Sequence, residues 1–137
     1  MIDRIFVDSN VWIYLFTSDD IAKNTVAKNF IANNSDSILF VSYQIINEVA
    51  SVLKRKGFKE SHIQFVIETI LDICFVQNFS KEIILMASEL REKHSISYWD
   101  SLVVSAANAA KCNVLVSEDM QHDQIINGTT IKNILKQ

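Results

Sequence analysis

Four acidic residues, Asp8, Glu48, Asp100 and Asp119, occupy positions where a carboxylate is costly unless it is paired, hydrogen-bonded or bound to a cation. Asp8 ends the apolar run Ile5-Phe6-Val7, and Asp119 follows the apolar run Val114-Leu115-Val116. Glu48 and Asp100 lie inside apolar patterns of helical period. A cluster of like charges does not stay ionised together without a cation. Hard oxygen donors suit Mg²⁺ or Mn²⁺, and an ion of that kind activates water and neutralises charge on a phosphodiester under in-line attack. No histidine is required. His62, His94 and His122 have no metal-ligand spacing and are expected at the surface.

Those acids need elements to hold them. Strands are expected at 5–7, 38–41, 73–76, 114–116 and 130–132, and helices at 9–15, 21–33, 43–56, 62–71, 81–93 and 98–110. Ser42, Ser61, Ser80 and Ser97 read as helix N-caps, Ser61 with Gln64 in capping-box spacing. Gly57 after Lys54-Arg55-Lys56 reads as a helix C-cap. Near-continuous apolar strands alternating with helices imply a three-layer α/β/α fold with a parallel sheet covered on both faces. Ligands of such sheets gather beyond the carboxyl ends of the strands, where Asp8 and Asp119 both fall. Glu48 shares a helical stripe with Ile45 and Val52, and Asp100 shares one with Val103, Val104 and Ala107, so both are expected to face the core side of their helices.

Each acid also has an ordinary structural role open to it. Asp8 is placed to cap a helix beginning at Ser9, and Asp100 with Ser97 has capping-box spacing. Glu48 is placed to pair with a lysine. Asp119 is placed as a loop acid, with Glu118 and Asp123 as rivals for any role there. The convergence of two strand ends and two helix stripes on one region is what favours a common site.

The chain has 137 residues, 49% apolar and 21% charged, which suits one globular domain spanning 1–137. It has no proline and two glycines, and no linker, repeat or low-complexity segment stands out. A mean hydropathy of +0.15 points to self-association through an apolar face. The net charge of −3 is unlike that of a dedicated duplex-binding protein. It does not exclude nucleic acid, because cations bound at an acidic site offset its charge. Cys74 and Cys112 make neither a disulfide framework nor a zinc signature, and Cys74 is expected to be a buried thiol. No signal peptide is expected at Met1-Ile2-Asp3-Arg4, and no apolar stretch is long enough for a membrane span. A reducing cytoplasm is the expected compartment.

The residues around the four acids resemble the motifs of the PIN domain family, and in particular of its VapC-like toxin ribonucleases. Phe6-Val7-Asp8-Ser9-Asn10-Val11-Trp12-Ile13-Tyr14 resembles the first motif, and Ser42-Tyr43-Gln44-Ile45-Ile46-Asn47-Glu48-Val49 the second. Ser97-Tyr98-Trp99-Asp100-Ser101-Leu102-Val103-Val104 resembles the third, and Val114-Leu115-Val116-Ser117-Glu118-Asp119 the fourth. Many relatives follow the fourth motif with another acid and Phe, where this chain has Met120-Gln121-His122-Asp123.

The resemblance implies a sheet of five parallel strands and metal-dependent cleavage of single-stranded RNA. It also implies dimerisation and, for the toxins, inhibition by a cognate antitoxin. By motif position it makes Asp8, Glu48, Asp100 and Asp119 the metal ligands and catalytic acids, with Glu118 as rival for the fourth place. Asn10 and Ser117 become supporting polar residues.

A haloacid-dehalogenase-like phosphatase would need an Asp where Asn10 stands. A phosphoacceptor receiver would need an acid pair after the first strand. The remaining alternatives are a PIN nuclease of RNA processing or repair and a PIN-like interaction protein without catalysis. Lys54, Arg55, Lys56 and Lys59 form a basic cluster, read as a solvated helix end or a phosphate contact. Trp12, Tyr14, Phe16, Tyr98 and Trp99 flank the acidic motifs and are read as core or partner contacts before base-stacking platforms. The apolar 65–71 region is a candidate dimer face.

Overall fold

A computed structural model describes residues 2–136; Met1 and Gln137, the ends of the expected 1–137 domain, lie outside the described residues. The elements in chain order are β1 (Arg4–Val7), α1 (Ser9–Phe16), α2 (Ile21–Asn33), β2 (Ile38–Val41), α3 (Tyr43–Arg55) and α4 (Glu60–Ile73). They continue with β3 (Cys74–Val76), α5 (Lys81–Lys93), α6 (Tyr98–Ala109), β4 (Val114–Val116), β5 (Ile125–Ile126) and β6 (Thr129–Lys132). The sheet order is β3-β2-β1-β4-β6-β5. The first five strands in that order are mutually parallel, as expected, while β5 pairs antiparallel with β6. The sheet is therefore mixed and six-stranded rather than purely parallel and five-stranded.

β1 and β4 occupy the middle of the sheet. Ile5, Phe6, Val7, Leu115 and Val116 are all buried, which is why these strands are apolar on successive residues rather than alternating. The helices pack in two groups, α1 against α2 and α3 with α3 against α4, and α5 against α6. The extra strand comes from a hairpin through Asn127-Gly128, both at positive φ (49° and 86°), the backbone of a two-residue type I′ turn. Two residues of strand are too few to register as a period.

Three of the four serine caps form: Ser42, Ser80 and Ser97 accept from the backbone N–H groups of Ile45, Ile83 and Asp100. Ser61 does not. α4 begins at Glu60 with Lys59 at the cap position and no side-chain cap bond, so Ser61 already lies within the first turn. The His62 and Ile63 N–H groups both donate to Lys59 O, which closes the first turn before Ser61 could cap it. Gly57 at φ +90° donates to Lys54 O and Phe58 N–H donates to Leu53 O, the Schellman closure of α3. Of the 65–71 region, Val66 and Ile70 are core, Ile67 and Leu71 are half-buried and Phe65 is exposed. Cys112 is buried and Cys74 only partly so, and burial pushes both thiols up to about 12. Among the described residues no helix is long and apolar enough to cross a membrane.

Candidate active site

The parallel register aligns Val7 with Val116, so Asp8 and Ser117, each one step beyond a central strand, are neighbours at the carboxyl edge of the sheet. Ser117 Oγ donates to Asp8 Oδ2 at 2.8 Å, and the Ser9 N–H donates to Asp8 Oδ1 at 2.8 Å. The second bond makes Asp8 the N-cap of α1, so its structural role and its place in the acidic cluster coexist. Asp8 is buried, and that burial pushes its carboxyl up to about 6. The Ser117 and Ser9 bonds oppose the shift, while the charges of Glu48 and Asp100 add to it.

Glu48 reaches the same region from α3, half-buried beside the core residues Ile45 and Val49. Ser9 Oγ donates to its Oε2 at 2.9 Å and Gln44 Nε2 to its Oε1 at 3.2 Å, so the start of α1 and the preceding turn of α3 fix its orientation. Asp100 is the third residue of α6, and its backbone N–H is capped by Ser97 Oγ at 3.1 Å. Burial raises its carboxyl pKa, the Ser97 bond lowers it, and the charges of Asp119 and Glu48 raise it.

Asp119 is exposed on the loop after β4 and is tied inward through Asn10. Asn10 Nδ2 lies 3.3 Å from Asp119 Oδ2 and 3.5 Å from Ser117 Oγ, and Asn10 Oδ1 accepts from the Glu118 N–H at 3.2 Å. Ser117 Oγ also accepts from the Asp119 N–H at 3.3 Å. Asn10 and Ser117 thus lace the first and fourth motifs together.

Glu118 is engaged differently. Lys23 Nζ meets its Oε2 at 2.7 Å and Tyr14 OH donates to its Oε1 at 3.1 Å. An open cleft of about 820 Å³ is lined by Glu48, Asp100 and Asp119, together with Ser9, Arg55 and Trp99, and not by Glu118.

Among the described residues, Glu118, Glu60, Asp19 and Asp123 each have a basic partner within ion-pair distance, and none of the four candidate acids does. Their charges are mutually repulsive and not neutralised by the protein, which favours a bound cation. Among the described residues no three His, Cys, Asp or Glu side chains are already gathered into a ready-made cage. The donors present are carboxylate oxygens, the type that suits a hard dication such as Mg²⁺. The histidines take no part: His62 stacks between Phe58 and Phe65, His122 Nδ1 accepts from the Asn133 N–H, and His94 is the C-cap of α5. His62 and His94 are half-buried rather than fully at the surface.

The family model of the PIN domain matches residues 5–126. The chain belongs to the PIN domain family. No functionally curated protein matches its sequence. Among solved structures, the PIN fold here is similar to the DNA-bound VapBC of Salmonella typhimurium, with a TM-score of 0.71 and 15% identity over 98% of this chain and 99% of that one. It is similar to VapBC2 of Rickettsia felis bound to a promoter DNA fragment, with a TM-score of 0.69 and 18% identity over 95% and 98% of the two chains. It is also similar to Mycobacterium tuberculosis VapC20, described as a sarcin-ricin loop cleaving toxin, with a TM-score of 0.67 and 18% identity over 81% and 86%.

Sequence reasoning missed Ser9 and Gln44 as the groups that orient Glu48. Gln44 had a readable signal in its i, i+4 spacing to Glu48. It also placed all the flanking aromatics together. The structure separates them: Trp12 is fully buried, Tyr14 and Phe16 are half-buried, and Tyr98 and Trp99 are exposed.

Proposed function

We propose that this PIN-family chain is a Mg²⁺- or Mn²⁺-dependent endoribonuclease that hydrolyses single-stranded RNA, acting in the cytoplasm as the toxin of a toxin–antitoxin pair. One observation carries the reading: Glu48, Asp100 and Asp119 line one open cleft, buried Asp8 feels the charges of Glu48 and Asp100, and among the described residues none of the four has a basic ion-pair partner. Asp8, Glu48, Asp100 and Asp119 would hold the ion. When bound, it would supply Lewis-acid neutralisation of the phosphodiester and a lowered pKa for the attacking water.

The chain's own residues do the positioning. Ser117 and the Ser9 N–H hold both oxygens of Asp8, which favours its ionised form despite burial. Ser9 Oγ and Gln44 hold Glu48, and Asn10 holds the loop that carries Asp119. The pairing of Glu118 with Lys23 favours Asp119 as the fourth acid.

The likeness to proteins described as VapBC complexes, and to a cleaving toxin, supports the toxin role and an antitoxin partner. The exposed apolar residues Ile84, Leu85 and Met86 of α5 support self-association as a homodimer. The retention of all four acids argues against an interaction protein without catalysis. The test is incubation of the purified protein with a single-stranded RNA in Mg²⁺ or in EDTA. Cleavage in Mg²⁺ alone, leaving 5′-phosphate and 3′-hydroxyl ends, is expected; undiminished cleavage in EDTA overturns the metal requirement.

A further inference from the structure

Beyond its acids, the cleft is lined from α3 and from the start of α6 by residues of different chemistry that holding an ion does not explain. Helix α3 presents Gln44, Asn47, Glu48, Ser51 and Arg55, a polar stripe at i+3 and i+4 steps. Arg55 lies at i+7 from Glu48, roughly 10 Å further along the helix axis. Its neighbours Lys54 and Lys56 are ion-paired, with Glu60 and Asp19. Among the described residues Arg55 has no ion-pair partner, and it is the cation that lines the cleft.

From the start of α6, Trp99, which precedes Asp100, lines the same cleft and is 62% exposed. An indole left this open at a cleft edge is unusual for core packing, yet its setting is ordered. The Tyr98 ring meets it edge-on at 5.1 Å and 81°, and Arg91 stacks on Tyr98 at 4.4 Å while donating to Ser101 Oγ at 2.7 Å.

We propose that Arg55 and Trp99 form a two-point clamp for a single nucleic-acid strand across the acidic cluster, Arg55 holding a backbone phosphate away from the cut and Trp99 stacking an unpaired base beside it. This rests on the nuclease reading of the cleft. A guanidinium matches the phosphate fork, and an aromatic face accepts any base that is not already stacked in a duplex. The pair therefore selects single strands with little sequence preference.

The test compares wild type, Arg55→Gln, Arg55→Lys and Trp99→Leu. Both residues are exposed, and urea midpoints check that each variant folds. Binding of a labelled single-stranded oligoribonucleotide is read by anisotropy in Ca²⁺ over a salt series, with strand integrity checked on a gel. KM and kcat for cleavage are measured in Mg²⁺.

Trp99→Leu is expected to raise Kd on the order of ten-fold. Arg55→Gln is expected to weaken binding and to make the slope of log K against log salt shallower by about 0.7, the contribution of one single-strand phosphate. Arg55→Lys keeps the slope. In Arg55→Gln KM rises while kcat stays within about two-fold, because Arg55 acts away from the reacting atoms, and in Trp99→Leu KM rises in step with Kd. Wild-type Kd, slope and KM in Arg55→Gln and Trp99→Leu overturn the clamp even where the wild type cleaves RNA, as does a wild type that does not bind the oligomer. A wild type that binds with these dependences but does not cleave overturns the nuclease reading and leaves the clamp standing.

Discussion

Ser117 Oγ and Asp8 Oδ2 share a 2.8 Å hydrogen bond between residues 109 positions apart, made possible because β1 and β4 run parallel and in register at their carboxyl ends. The bond stabilises the ionised carboxylate against a burial that opposes ionisation. Removing the donor raises the Asp8 pKa further. Ser117→Ala is therefore expected to move the acidic limb of the pH–rate profile upward by about one pH unit, and Ser117→Thr to restore it. A Ser117→Ala enzyme with a wild-type limb would show that the bond does not tune Asp8.

The same carboxylate predicts how metal-free stability depends on pH. With the Asp8 pKa at about 6 in the folded chain and an ordinary value of 3.8, the folded state binds the proton more tightly than the unfolded state between those values. Stability from this group is full below about pH 4, falls as pH rises through about 6, and is flat above. Ionised Asp8 then costs up to roughly 3 kcal/mol. Asp8→Asn should abolish cleavage yet raise the urea midpoint of the EDTA-treated protein at about pH 8. A lower midpoint would mean that Asp8 contributes more as a cap and hydrogen-bond acceptor than its charge costs.

Mg²⁺ should narrow the stability gap between these two proteins. An ion that binds only the folded state stabilises it by about 2.7 kcal/mol at a hundred times its dissociation constant. The wild type should gain most of this in thermal melts with saturating Mg²⁺, and Asp8→Asn and Asp100→Asn little. Equal gains in all three would place the ion elsewhere.

What the sequence made legible follows from how local each signal is. Asp8 and Asp119 could be placed at strand ends because Ile5–Val7 and Val114–Val116 are uninterrupted apolar runs, buried apart from the half-buried Val114. Glu48 and Asp100 could be placed on core-facing stripes because Ile45, Val49, Val103, Val104 and Ala107 mark those faces. β5 escaped because two residues carry no period; its trace was the Asn127-Gly128 pair, a hairpin signal in its own right. Arg55 was hidden among like charges, and only the partners of Lys54 and Lys56 single it out.

Ser9 links two of the acids, giving its N–H to Asp8 and its hydroxyl to Glu48 at 2.9 Å. Ser9→Ala keeps the first bond and loses the second, so the α1 cap survives while Glu48 gains rotational freedom. The expected result is a kcat on the order of ten-fold lower, a Mg²⁺ requirement shifted to higher concentration, and a urea midpoint close to wild type. A midpoint loss that accounts for the activity loss would make Ser9 structural.

Glu118 and Asp119 separate the two possible fourth corners. The Glu118 carboxylate already serves Lys23 and Tyr14, with both members of the ion pair about a quarter exposed, while Asp119 lines the cleft and raises the Asp100 pKa through its charge. Glu118→Gln keeps an oxygen for Tyr14 and loses only the Lys23 pair, so it should lower the urea midpoint slightly and leave kcat and the Mg²⁺ dependence near wild type. Asp119→Asn should lower kcat and weaken Mg²⁺ dependence of the melt with little change in metal-free stability. It retains an oxygen and a polar partner for Asn10, so what it removes is charge. If the two variants exchange these behaviours, Glu118 is the fourth acid and must leave Lys23 to become so.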